Sequence, residues 1–459
     1  MVGRSRVALV AAGVALLTAA CSGGTQRAAA PTTPATPAVP VQLTFAVYGP
    51  PPVVTAYSQI AADFTAAHPD TVVNVQPYGT HAAAMAALGR AADGGDPPDV
   101  FLADLSDLPS LVTGHTIARL DELLGERHVD FGDGFQRGAL EAFSADNALQ
   151  CMPVDSSPLV VYYNTDLLNP TILTPAGSKP VTADTGWKLD TFAADADAVS
   201  NGGVRGLYVA PTLDQVAPFL WSGGGDVVDD PESPTTLTLA SSNSEPALES
   251  LLAVVRDPAT TFTAQQLARK PALERFEAGQ LAMMFGYRDL TPVLRAHRGL
   301  HFDVMPLPRI NAKATSGEAS GLCLSAASPH PEQTADFVAY AVSAEPMSVL
   351  ANTGYVVPTN LDVLNSAAFL QPTQDPVSAR VFATAARAVR RFPAVSTWGP
   401  VAAATEPLLS GLFYAPAIDP LDQRLQAIDA VSVPLFTPLP PTPAARPTTG
   451  ATTGPTPGS

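Results

Sequence analysis

Cysteine is scarce in this chain: 459 residues contain three, Cys21, Cys151 and Cys323. That excludes a disulfide-dense miniature scaffold. No Cys or His cluster has the spacing of a metal centre, the seven histidines being scattered. Basic residues are few as well, 25 against 42 acidic for a net charge of −17. A surface this negative repels phosphate backbones and anionic lipid, which excludes nucleic acid as a partner. There is no Gly-x-Ser-x-Gly elbow, no carboxylate pair in a recognisable catalytic motif and no fixed-period repeat. No apolar run reaches the roughly 20 residues that a bilayer-spanning helix needs. What is present is 46% hydrophobic residues, enough for a large core in two or three units of about 150 residues each.

The ends differ from the middle. Arg4 and Arg6 precede an apolar run from Val7 to Leu17, followed by Thr18-Ala19-Ala20-Cys21 and the polar Ser22-Gly23-Gly24. This resembles a bacterial lipoprotein signal, with Thr18 where such signals usually carry Leu. It implies export, with residues 1–21 as the signal and Cys21 as the lipidated residue. The rival readings are an ordinary secretory signal cut near Ala20 and a short membrane span. Cleavage removes two arginines and no acid, so the body becomes more negative still. Cys151 and Cys323 are then an even pair in an oxidising compartment, and a disulfide and two free thiols are both open. The Ala/Thr/Pro stretch within 22–40 reads as a flexible tether, and 438–459 as a disordered Pro/Thr tail.

Between them, strand and helix patterns alternate. Leu43–Tyr48, Val72–Val75 and Asp99–Ala103 read as strands, separated by helices over Thr55–Ala67 and His81–Ala92, which implies a parallel sheet wrapped by helices. Further strands are expected at Val154–Tyr163, Val204–Val209, Leu281–Phe285 and Phe302–Met305. Further helices are expected at Leu189–Ser200, Pro246–Arg256, Pro271–Ala278, Pro331–Val342, Asp375–Arg390 and Pro420–Ala430. The class is α/β with more than one sheet.

Six segments in order carry a resemblance: Phe64-xxx-His68-Pro69 with Val72-Val73-Asn74-Val75; Gly94 to Val100; Pro153-Val154-Asp155-Ser156-Ser157-Pro158 through Asn164; Gly186-Trp187; Phe276 to Met284; and Thr353 to Pro358. The chain resembles the bacterial extracellular solute-binding proteins of ABC importers, in the carbohydrate-binding group that includes maltose-binding protein, here of the actinobacterial lipoprotein type. The resemblance implies a two-lobed periplasmic-binding-protein-like fold, α/β lobes joined by hinge strands with the ligand between them. Lobe 1 would comprise 41–152 and 321–365, and lobe 2 would comprise 153–320 and 366–437. The hinge crossings would lie near Met152–Ser156 and Gly321–Ser325, which gives Cys151 and Cys323 a reason to meet. The implied partners are a carbohydrate and the permease subunits of a transporter, with membrane contact through the lipid anchor only, a monomeric state, and no cofactor or metal.

Sugar recognition uses planar polar side chains for adjacent hydroxyls and aromatic faces for the apolar side of the ring. Candidates are sought at strand ends facing the crevice. Tyr48 and Gly49 follow the first strand, and packing of Tyr48 on the first helix is the rival reading. Asp104 follows the third strand, where a helix N-cap is the rival. Asp155, Ser156 and Ser157 sit on the first hinge crossing. Trp221 and Trp398 are candidate stacking platforms, whereas Trp187 reads as a packing residue. Phe285, Tyr287 and Arg288 end the Leu281 strand, an ion pair being the rival use of Arg288. Gly317 and Glu318 precede the second hinge, where small residues allow close backbone approach. Tyr162 and Tyr163 read as core. This acid-rich set suits a neutral or amino sugar. Alternatives are another small polar solute such as a glycerophosphodiester, a secreted glycosidase, which needs an acid and a base or nucleophile roughly 5–10 Å apart, and an envelope scaffold.

Overall fold

The computed structural model describes residues 39–95, 97–173 and 180–437. The candidate signal with Cys21, the tether up to residue 38 and the tail from 438 lie outside the described residues.

The first strand, β1 (Val41–Tyr48), buries Leu43, Phe45 and Val47 on one side, the period of two that a pleated strand imposes. Pro51 and Pro52 then start a helix to Ala67, earlier than its apolar spacing predicts, because proline suits the first helical positions where no amide partner is required. Tyr57, Ile60 and Phe64 form its buried stripe. β2 (Thr71–Tyr78) follows, and Thr80 caps the helix His81–Gly94 by accepting from the Ala83 amide. Gly95, at φ 79°, closes that helix in the left-handed conformation glycine adopts without strain. β3 is Val100–Asp104, β4 is Ile117–Ala118, and a hairpin of β5 (Ser144–Ala145) and β6 (Ala148–Leu149) leads into β7 (Cys151–Pro158).

β1, β2 and β3 are parallel, as the alternation predicts, but the sheet is mixed. β12 (Gly317–Ser325) inserts antiparallel beside β3 in the order β2-β1-β3-β12-β4, and β7 also pairs with β12. The second sheet has the order β11-β8-β10-β9, with β8 (Val160–Asn164), β9 (Arg205–Tyr208), β10 (Leu281–Gly286) and β11 (Phe302–Met305). β8 runs antiparallel to both its neighbours. The single strand expected over Val154–Tyr163 is therefore two. At Leu159 the amide donates to the Ser316 carbonyl and the carbonyl accepts from Thr315 Oγ1, which hands the chain from one sheet to the other.

There are two apolar cores, and the one at the first sheet also takes Tyr162, Met284 and Phe302 from one face of the second. Phe45, Phe64 and Phe337 meet edge-on beneath the first. Val161, Trp187, Phe192, Phe219 and Phe285 gather against the second, joined there by Leu409 and Leu412 of the helix Trp398–Tyr414 and by Ile428 of the helix Leu421–Phe436. Helices over Leu213–Gly223 and Trp398–Tyr414 are not visible in the sequence pattern because Pro218 and Pro407 lie inside them. Conversely, the helix expected over Asp375–Arg390 covers only Arg380–Ala385, with a 3-10 turn at Ala386–Ala388. Asp303 accepts from the Ser378 amide and hydroxyl, and so holds the preceding segment out of the helix.

Cys151 and Cys323 lie directly opposite in the β7–β12 register and form a disulfide with a Cα separation of 4.3 Å. Both are fully buried.

Candidate functional site

The site is built at the carboxyl ends of β1 and β3 and along the β7–β12 ribbon. Tyr48 ends β1, and its hydroxyl donates to Asp104 Oδ1 at the end of β3. Gly49 turns the chain at φ 132°, a conformation other residues enter only with strain. Asp104 does precede a short helical turn, as its rival reading anticipates. Asp104 is the N-cap of that turn and shares a reciprocal capping box with Asp107, whose Oδ2 accepts from the Asp104 amide at 2.9 Å. The Asp104 carboxylate also meets Tyr48, and His81 Nε2 stands 3.6 Å from it. His81 Nε2 also lies 2.7 Å from Asp107 Oδ2, and its ring meets Tyr48 edge-on at 5.1 Å. His81, Asp104 and Asp107 place ligand-type atoms within 4.8 Å of one another, a grouping that scattered histidines in sequence conceal. Their bonds to each other account for the proximity. Burial pushes the Asp104 carboxyl above its ordinary range, opposed by Tyr48 and His81.

On the ribbon, Asp155 pairs with Ser320 and Ser157 with Glu318. Side chains alternate along a strand, so Asp155 and Ser157 face one side and Ser156 the other. Asp155 Oδ1 accepts from the Val357 amide at 2.6 Å. Burial, with Asp289 and Asp104 nearby, pushes its carboxyl up to about 8, against the lowering effect of the Val357 amide. Glu318 is pushed to about 8 as well, by the surrounding protein mass first and then by Asp289, Asp214, Asp155 and Asp104. Its side chain is open to water, so solvent in the crevice moderates that shift.

The far wall carries Tyr287, whose hydroxyl donates to Asp214 Oδ1 at 2.5 Å and lies 3.2 Å from Ser316 Oγ. Asp214 and Asp289 are both raised, burial being the main cause. Five carboxylates, on Asp104, Asp155, Asp214, Asp289 and Glu318, thus converge on one crevice. Among the described residues no Lys or Arg forms an ion pair with any of them.

Several expected residues lie elsewhere. Arg288 is fully buried: Nε donates to the Gly354 carbonyl, Nη2 to that of Phe369, and the guanidinium stacks on Phe369 and Phe382 at 4.8 and 5.1 Å. Burial depresses it to about 10. It braces the fold and cannot donate to a ligand in the crevice. Ser157 is spent on the same loop, its hydroxyl accepting from the Arg288 amide at 2.9 Å. Phe285 is a core residue stacked on Phe219, because the buried side of β10 claims it. Trp221 is 5% exposed, donates to Asp226 and packs on Phe392, which in turn stacks on Trp398 at 4.8 Å. The two tryptophans therefore share one aromatic cluster, with Trp221 committed to packing. Trp187 is buried and donates to Asp195, as its reading as a packing residue requires. Tyr162 is buried, as expected, and Tyr163 only partly. Asp214, Asp289 and Ser316 carry no distinguishing mark in the sequence, since a lone Asp or Ser beside an element's end is too common a signal.

Two α/β lobes joined by a paired ribbon, with polar groups converging at strand ends, define the class of two-lobed binding receptors. The chain belongs to the bacterial extracellular solute-binding proteins, whose family pattern it matches over residues 59–376. A lipoprotein encoded upstream of oleD in Streptomyces antibioticus, itself uncharacterized, is 25% identical over 406 residues, 85% of each chain. The sugar-binding protein MalE of Xanthomonas citri superposes with a TM-score of 0.74 at 15% identity, covering 86% of this chain and 97% of its own. A substrate-binding protein of an ABC transporter from Listeria monocytogenes, in complex with cycloalternan, superposes with a TM-score of 0.70 at 20% identity, covering 85% of this chain and 98% of its own. No helix among the described residues is long and apolar enough to cross a membrane.

Proposed function

We propose that this chain captures a sugar in the crevice between its lobes, 41–152 with 321–365 and 153–320 with 366–437, and presents it to the permease of an ABC transporter from a lipid anchor at Cys21. It makes and breaks no bond in doing so. The carrying observation is the convergence of Tyr48, Asp104, Asp155, Asp214, Tyr287 and Glu318 on one crevice, reached from both sheets and the ribbon between them. Carboxylates accept adjacent hydroxyls in pairs, and the tyrosines present ring faces and donors. Contacts to both walls at once favour the closed arrangement, which couples binding to lobe closure.

Within sugars, the acid lining favours one carrying an amino group over a neutral one, and it disfavours phosphorylated ligands such as glycerophosphodiesters. Titration calorimetry with glucosamine-type sugars, neutral disaccharides and glycerophosphodiesters tests this. Saturable binding of a sugar, strongest for the amino sugar, is the expected result, and tight binding that requires phosphate overturns it. Incubation with aryl glycosides releases no aglycone on this reading.

A further inference from the structure

The face of the β7–β12 ribbon turned away from the acid crevice floors a second cavity. Ser156, Gly317 and Ala319 line a groove of about 600 Å³, a volume within the range of small-molecule sites. One wall comes from residues 132–142 and 361–365, the other from 380–391. Small side chains, among them Ala139, Ala142 and Ala383, leave it open, and Arg137, Arg380, Arg387 and Arg391 reach it from both walls.

In a chain of net charge −17 this concentration is singular: residues 376–405 hold Arg380, Arg387, Arg390 and Arg391 and no Asp or Glu. Arg391 meets Glu141 at 3.5 Å, and Arg390, off the groove wall, is held by Asp226. The side chains of Arg137, Arg380 and Arg387 have no hydrogen bond or ion pair among the described residues. The remaining acids on the wall are Asp133 and Glu318, and Glu318 interacts with the carboxylates of the crevice. Three exposed guanidinium groups without a side-chain partner give one cavity a positive potential, and their planar forks match carboxylate and phosphate oxygens in pairs.

We propose that this groove is a second binding site, for a small organic anion carrying at least two phosphate or carboxylate groups. The acid crevice repels such a ligand, so the two faces of one ribbon serve solutes of opposite charge, and the site stands whether or not the crevice binds a sugar. Calorimetry on the full chain with citrate and with inorganic pyrophosphate, at fixed ionic strength in sodium chloride, tests it. Saturable one-to-one binding of either anion is expected, weakened about tenfold or more by R380Q/R387Q and unchanged by R119Q, whose arginine pairs with Asp121 away from the groove. Arg137→Gln provides a second, independent variant should the double one melt at a lower temperature. Co-sedimentation with phosphatidylglycerol vesicles separates a lipid headgroup from a free anion. Binding to vesicles alone, no saturable binding of either anion, or binding that the arginine variants leave unchanged overturns the proposal.

Discussion

Asp155 is the residue on which the crevice turns. Its place on β7 aims the carboxylate inward, and the Val357 amide fixes one oxygen. Because its folded carboxyl is raised to about 8, above the ordinary value near 3.8, the native state holds a proton that the unfolded chain releases. Its contribution to stability is thus fully present below about pH 4 and is lost as pH rises through about 8. D155N should therefore melt higher than the unaltered protein at pH 8, by roughly 1–3 kcal/mol of stability, with the gap closing toward pH 4. A gap independent of pH would refute this assignment. Tyr48→Phe removes the donor to Asp104 while the ring remains, and about tenfold weaker sugar binding with an unchanged melting temperature is expected by calorimetry. Which residues faced the crevice was only partly legible. Phe285 lies within the strand that Tyr287 and Arg288 follow, yet Arg288 is walled in by Phe369 and Phe382 and Phe285 by Phe219. Spacing along a chain does not report what packs above it.

At the scale of elements, the β7–β12 ribbon unites the molecule. It belongs to the first sheet, hands the chain to the second at Leu159 and Ser316, and carries the crevice on one face and the arginine groove on the other. The Cys151–Cys323 bond ties segments 172 residues apart in sequence at the end of this ribbon. Closing so long a loop restricts the unfolded chain, and C151A/C323A should lose about 2–4 kcal/mol in denaturant unfolding. Alkylation of the folded protein should leave both cysteines unmodified until reductant and denaturant are combined. The ends of the elements were read less well than their cores. Apolar periodicity marks β1 and the helix after it, but a strand that changes sheets has no break in its hydrophobic pattern, and prolines inside helices erase theirs.

For the whole molecule, the proposed capture of a sugar by both walls of the crevice implies that ligand draws the lobes together. Solution scattering at saturating sugar should show a smaller radius of gyration than the free protein, and an unchanged profile with a ligand that binds tightly would argue against closure. The proposed anchor lies in the leading segment: on that proposal Cys21→Ala should abolish incorporation of radiolabelled fatty acid and release the protein from the membrane fraction.

The sequence alone determined what depends on local order and composition. The acid excess, the alternation of strand and helix, and the ordered segments that mark the family all follow from neighbouring residues and their periods, as does the expectation of an export signal. Tertiary structure decided what depends on residues distant in the chain. Asp104, Asp155, Asp214, Asp289 and Glu318 span more than 200 positions yet share one crevice, and His81 meets Asp107 only because β2 and β3 flank β1 in one sheet. The disulfide, open in sequence between bond and free thiols, was settled by the register that sets Cys151 across from Cys323. Neighbourhood in a folded chain is fixed by pairing and packing, and those are summed over the whole molecule.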